Sequence, residues 1–137
     1  MHRYSQIGGP TTVACTNLSV DLTPGFAVIA LSSVPTPSIQ TSHELLLTTV
    51  GRAYATEMKA WKQGKWLLCK PNTLGKAPML LEPIRAVIRV RTTEPGFSVW
   101  ALDANGRPTA GVPSRYDNGT LTFEVGAHQT MYYRIGR

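Results

Sequence analysis

Between Ile84 and Arg91 the chain alternates. Ile84, Ala86, Ile88 and Val90 are apolar, while Arg85, Val87, Arg89 and Arg91 fall between them. A period of two belongs to a strand with one face on a core and the other in water. This stretch is therefore expected to be a half-buried strand with an arginine-rich outer face. The pattern recurs at Leu121, Phe123 and Val125, and again at Met131, Tyr133 and Ile135. "FAVIALSSV" is an apolar run of strand length, and "TTVACTNLSVDL" is β-branched and partly alternating.

Turn residues punctuate these runs: Pro24-Gly25, the "PTPS" segment, Glu94-Pro95-Gly96, Ala104-Asn105-Gly106 and Asp117-Asn118-Gly119. Asn-Gly tolerates the positive φ of tight hairpins. "HELLLTTVGRAYATEMKAW" is less clear. Its β-branched residues favour a strand to about Tyr54, followed by a loop or a short helical turn. The sum is seven or eight short strands, an all-β antiparallel β-sandwich of jelly-roll or immunoglobulin-like type. We read it as one domain over residues 1–137.

Composition adds limits. The chain is 42% hydrophobic, which supplies a core and argues against disorder throughout. Net charge is +6, but the basic residues are scattered except between 59 and 76. Solubility is the ordinary reading of such charge, with nucleic acid the lesser one. Cys15 and Cys69 could form one bridge if their Cα atoms came within about 7 Å, or remain two buried thiols. No apolar run approaches the ~20 residues of a membrane span. "MHRYSQIGGP" lacks the apolar core of a signal peptide, so the start reads as internal to a longer protein.

Catalytic patterns are not evident. His2, His43 and His128 have no ligand at metal-binding spacing, and His128 reads as a turn residue. There is no GxSxG nucleophile elbow and no glycine-rich phosphate loop. Of the eight acids only Glu57 and Glu82 lie near the tryptophan stretch, a poor basis for a hydrolytic pair. We expect no enzyme activity, no metal and no cofactor.

The stretch "KAWKQGKWLLCKPN" stands out. It places Trp61 and Trp66 among lysines, a glutamine, a glycine and an asparagine. Burying so many polar groups would be costly, so at least one of these rings should reach solvent. An aromatic face can stack on the apolar C–H face of a sugar while neighbouring polar groups satisfy its hydroxyls. Trp61 is the expected platform, extended by Trp66, Tyr54 or Tyr116. Gln63, Asn72 and Asn118 are expected to supply hydrogen bonds. Trp66 is the more buried ring of the pair on this reading, because "WLLC" runs on into apolar residues, and Trp100 belongs to the core.

Four segments carry a resemblance: "ELLLTTVGRAYATEM", "APMLLEPIRAVIRV", "VWALDANGRPTAGVP" and "NGTLTFEVGAHQTMYYRI". From about Phe26 to Ile135 the chain resembles the C-terminal accessory β-sandwich that follows the catalytic domain of some bacterial glycoside hydrolases. Within that group it looks most like a carbohydrate-binding module of family 81. Related segments often have Asn and Gly where this chain has Ala55 and Glu57.

The resemblance implies binding of β-glucans: cello-oligosaccharides, cellulose, mixed-linkage glucan or xyloglucan. It also implies a covalently linked endoglucanase, secreted to the outside of the cell. The expected state is a monomer that binds neither nucleic acid nor membrane. An alternative is a structural sandwich that packs on its catalytic domain and has no sugar affinity of its own.

Overall fold

The computed structural model describes residues 11–23, 26–34 and 38–137. The N-terminal tail with His2 and Tyr4, and the turns expected at 24–25 and 35–37, lie outside the described residues. The chain, read from its sequence as one domain, divides into two compact units. One comprises Met1–Val50 and Pro83–Arg137, and the other is Gly51–Glu82. No helix among the described residues is long and apolar enough to cross a membrane.

The first unit is an antiparallel sandwich of two five-stranded sheets packed against each other. Its strands are β1 (Thr11–Ala14), β2 (Leu18–Leu22), β3 (Val28–Ser33), β4 (Glu44–Val50), β9 (Ala86–Arg91), β10 (Ser98–Leu102), β11 (Pro108–Val112), β12 (Ser114–Asp117), β13 (Thr120–Val125) and β14 (Tyr132–Gly136). One sheet has the order β1-β2-β9-β13-β12, the other β11-β10-β14-β4-β3. With four more strands in the second unit, the described residues hold fourteen against the seven or eight expected, because short strands such as β1 and β12 carry too few residues to show a period.

The alternating runs form the facing layers. Ile88 and Val90 of β9 pair with Val20 and Leu18 of β2 on one side, and with Phe123 and Leu121 of β13 on the other. Leu45 and Leu47 of β4 lie opposite Ile135 and Tyr133 of β14. Ile88, Val90, Leu45, Leu47, Tyr133 and Ile135 have no exposed surface, so the core lies between the two sheets. Burying each such side chain contributes about 1.5–3 kcal/mol relative to leaving it in water.

The outer face of β9 carries Arg89, which the Asp21 carboxylate holds at 2.6 Å. Thr12 donates a second hydrogen bond to Asp21 at 2.8 Å. The Thr12 hydrogen bond first, and then Arg89, hold the Asp21 carboxyl below its ordinary value.

Turn chemistry follows the sequence. Asp103 Oδ1 accepts hydrogen bonds from the Asn105 and Arg107 backbone N–H groups and closes the β10–β11 turn. Asn118 and Gly119 both have positive φ, at 46° and 77°, and join β12 to β13. His128 lies in a turn, as expected. After β13, Gly126 has φ 116°, and a Cβ there would collide with the Ile84 carbonyl. Its N–H donates to the Tyr133 hydroxyl.

The second unit contains β5 (Ala53–Thr56), β6 (Ala60–Gln63), β7 (Trp66–Cys69), a 3-10 turn at Pro71–Thr73, and β8 (Lys76–Leu81). β5 pairs with β8, and β6 with β7. The loop or helical turn expected after Tyr54 is instead the end of one strand and a complete hairpin. Local propensity misses this because Lys, Gln and Ala are poor strand formers, and cross-strand pairing overrides them.

Candidate functional site

In the β6–β7 hairpin, Gly64 and Lys65 form the two-residue turn. Gly64 has φ 59°, and Lys65 does not share its positive φ. That combination marks a type II′ turn, whose twist matches that of the flanking strands. The register is Trp61 opposite Leu68 and Gln63 opposite Trp66.

Side chains alternate across a strand, so Trp61 and Gln63 share a face with Leu68 and Trp66. The two tryptophans are diagonal neighbours on it, at a spacing of about 7–8 Å that long side chains span. Ala60, Lys62 and Cys69 take the other face.

Both rings meet solvent. Trp61 is 43% exposed and Trp66 65%, which reverses the expected order of burial. The apolar run "WLLC" does not bury Trp66, because a two-stranded hairpin covers little of either face. Lys65 Nζ lies 5.6 Å from the Trp66 ring centroid, within cation–π range. Gln63 is also exposed.

Tyr54 and Asn72 belong to the same unit but not to this face. Tyr54 is half-buried on β5, opposite Leu80 of β8. Asn72 is exposed in the 3-10 turn. That turn is pinned by Thr73, whose hydroxyl donates to the carbonyls of Lys59 and Lys70.

The unit is basic. Arg52, Lys59, Lys62, Lys65, Lys70 and Lys76 stand against Glu57 and Glu82, so it carries +4 of the chain's +6. Lys76 and Glu57 pair at 2.7 Å, but both side chains are about two-thirds exposed and the pair adds little stability.

Tyr116 and Asn118 belong to the sandwich unit. They line an open groove of about 630 Å³ together with Gln40, Arg91, Thr92, Thr93, Gly119 and Thr120. The expected sugar-binding set is thus distributed over the two units. Trp61, Gln63 and Trp66 share one surface, and Tyr116 and Asn118 share another.

Trp100 was expected in the core but is 42% exposed. Val99 and Ala101 point inward in its place and join the core cluster, whereas Leu102, though buried, is not part of that cluster. The Trp100 ring lies against Gly111, its cross-strand partner, 3.8 Å from where a Cβ would stand. Gly111 opposite a strand tryptophan is the sequence signal that could have placed this ring on the outside.

Cys15 is exposed and Cys69 half-buried, and both are free thiols. This replaces the expectation of a bridge or two buried thiols. Short flanking strands at a sheet edge and on a hairpin do not enclose them. Among the described residues no three His, Cys, Asp or Glu side chains gather as a metal site.

No family model, curated protein or solved structure matches this chain.

Proposed function

We propose that the chain is a non-catalytic carbohydrate-binding module that holds β-glucans on the Trp61–Trp66 face of its hairpin. In this role it keeps a covalently linked endoglucanase on its substrate outside the cell, and it acts as a monomer. The supporting observation is the pairing of two solvent-facing tryptophans with Gln63 on one face of a tight hairpin. Few rotatable bonds and a large apolar ring make tryptophan a good anchor, and Gln63 offers both donor and acceptor to sugar hydroxyls. Affinity is modest, because stacking two rings leaves little surplus after ordering costs.

The test is affinity electrophoresis in gels containing xyloglucan or mixed-linkage glucan, with a tryptophan-fluorescence titration against cellopentaose. Retardation with a spectral shift is expected, and it should persist as salt is raised. Binding through phosphate contacts would instead fall steeply with salt. Free migration with no spectral shift counts against the reading.

A second reading is favoured by a different observation. Seven of the ten exposed large hydrophobic residues among those described lie in the Gly51–Glu82 unit: Trp61, Trp66, Leu68, Leu74, Met79, Leu80 and Leu81. No described side chain in that unit is fully buried. Exposed apolar side chains in a unit of net charge +4 suit docking to an acidic protein surface, such as a linked catalytic domain. Docking predicts self-association of the chain that Leu80→Lys abolishes, and no retention by glucan.

A further inference from the structure

The sheet β11-β10-β14-β4-β3 turns one face to the core and the other away from it. Across the outer face the register draws a straight row with one residue from each strand: Gly111, Trp100, Arg134, Leu46 and Ser32. Residues directly opposite one another in register share a face. Their chain neighbours Val99, Tyr133, Leu45 and Leu47 are buried on the other face. At about 4.8 Å between strands, the row runs ~14 Å from Trp100 to Ser32.

Trp100 stands near one end of the row and is 42% exposed. Its ring lies over Gly111, 3.8 Å from where a Cβ would stand. A ring laid over a cross-strand glycine is held close to the sheet and leaves its other side to solvent. Tyr132 is its diagonal neighbour on the same face, at about 7–8 Å. Arg134 comes next in the row, and its Nε stands 2.7 Å from Glu44 Oε1, with the two side chains 42% and 38% exposed. The buried Ser42 hydroxyl donates to the Glu44 carbonyl at 2.7 Å and fixes that end of β4. A guanidinium carries five N–H donors and a carboxylate two acceptor oxygens, so the pair keeps donors and acceptors for a third group. Ser32 at the far end, and Thr48 opposite Tyr132, add hydroxyls.

Glu44 and Arg134 are the only charged residues in these five strands, and they neutralise each other. Trp100 is the only large hydrophobic side chain exposed on them. From this arrangement we infer that the face is a second glycan-binding surface, which takes an uncharged glucan chain along the row from Trp100 to Ser32. The ring stacks on the C–H face of one sugar, and the Arg134–Glu44 pair and the hydroxyls meet the sugar hydroxyls beyond it. Nucleic acid fits poorly, because Glu44 compensates the one cation it would need. A protein partner fits poorly as well, because one exposed ring is too little for the apolar centre of an interface. The choice of glucan rests on the function proposed above; the location of the surface does not depend on the tryptophan hairpin.

The experiment reads each ring separately. The full chain has three tryptophans, so an isotope-labelled sample gives three indole N–H signals in NMR, assigned with Trp61→Ala, Trp66→Ala and Trp100→Ala. Cellopentaose is titrated into the wild-type chain and into Trp66→Ala. We expect the Trp100 signal to shift to saturation in both. In xyloglucan gels Trp100→Ala should bind about four- to tenfold more weakly than the parent, at a similar melting temperature, and Trp100→Phe should recover most of the loss by keeping a ring.

A Trp100 signal that stays in place overturns the inference, whether or not Trp61 and Trp66 respond. So does a shift that disappears in Trp66→Ala, since the hairpin would then be its source. Retention that falls only in variants that also melt lower makes the ring a support of the fold, and overturns it too. A shift at Trp100 with none at Trp61 or Trp66 upholds this surface and refutes the hairpin reading instead.

Discussion

Replacing Trp66 with alanine should weaken glucan binding more than replacing Trp61, although the sequence pattern points to Trp61 as the platform. A tryptophan buries about 150–250 Å² when fully covered. At 65% exposure, Trp66 leaves ~100–160 Å² in water. A sugar laid on one face covers about half of that, ~50–80 Å². At ~25 cal/mol per Å² this is worth about 1.3–2 kcal/mol, or roughly a ten- to thirtyfold change in affinity. For Trp61, at 43% exposure, the same reasoning gives about 0.8–1.4 kcal/mol, or roughly four- to tenfold. Neither ring contributes much to the fold, so both variants should melt within a few degrees of the parent. The assay is a titration with cellopentaose, followed by calorimetry so that losing a fluorophore does not confuse the readout. Two variants that bind as tightly as the parent would refute the stacking argument. A variant that melts far lower would show that its ring supports the fold instead.

Three further outcomes concern stability. Gly126→Ala forces a side chain into the Ile84 carbonyl at a φ of 116°, and should cost about 2–3 kcal/mol in urea unfolding. A neutral result would mean that the β13–β14 connection relaxes easily. Ile88→Ala should cost about 2–5 kcal/mol by opening a cavity between the sheets, whereas Trp100→Ala should cost less than about 1 kcal/mol. Comparable losses would place Trp100 in the core after all.

The third outcome is a dependence on pH. Burial holds the Tyr133 hydroxyl above its ordinary 10.0. A raised value gives stability that is complete below pH 10.0 and is lost as pH rises through the folded-state value. The urea midpoint should therefore fall in alkali for the parent and less so for Tyr133→Phe. Asp21 works in the opposite direction. Its lowered carboxyl lends support that is present above 3.8 and is lost as pH falls through the folded-state value. Asp21→Asn should flatten that acid limb.

The sandwich was legible because its central strands bury one face only. Ile88 and Val90, Leu121 and Phe123, and Tyr133 and Ile135 announce themselves by a period of two, and Asn105-Gly106 and Asn118-Gly119 announce their turns. Such signals depend on a residue's immediate neighbours, so the linear chain already contains them. The tryptophans were harder to read. Alternation sorts residues into two faces but does not say which face another layer will cover. Trp100 shares a face with Ser98, and its exposure was decided by the second sheet accepting Val99 and Ala101 instead. The hairpin of Trp61 and Trp66 arises from pairing between strands with little intrinsic preference for extension, and only the register puts both rings on one side.

The groove was legible least of all. Gln40, Arg91 and Tyr116 come from three separate parts of the chain and meet only where the loop after β9 crosses the β12–β13 turn. The sequence by itself determined an all-β sandwich, its core and most of its turns, because local periodicity and turn chemistry suffice for these. Which aromatic rings face water, and which residues line the groove beside Tyr116, were decided by tertiary structure, because both depend on contacts between residues that the chain order keeps apart.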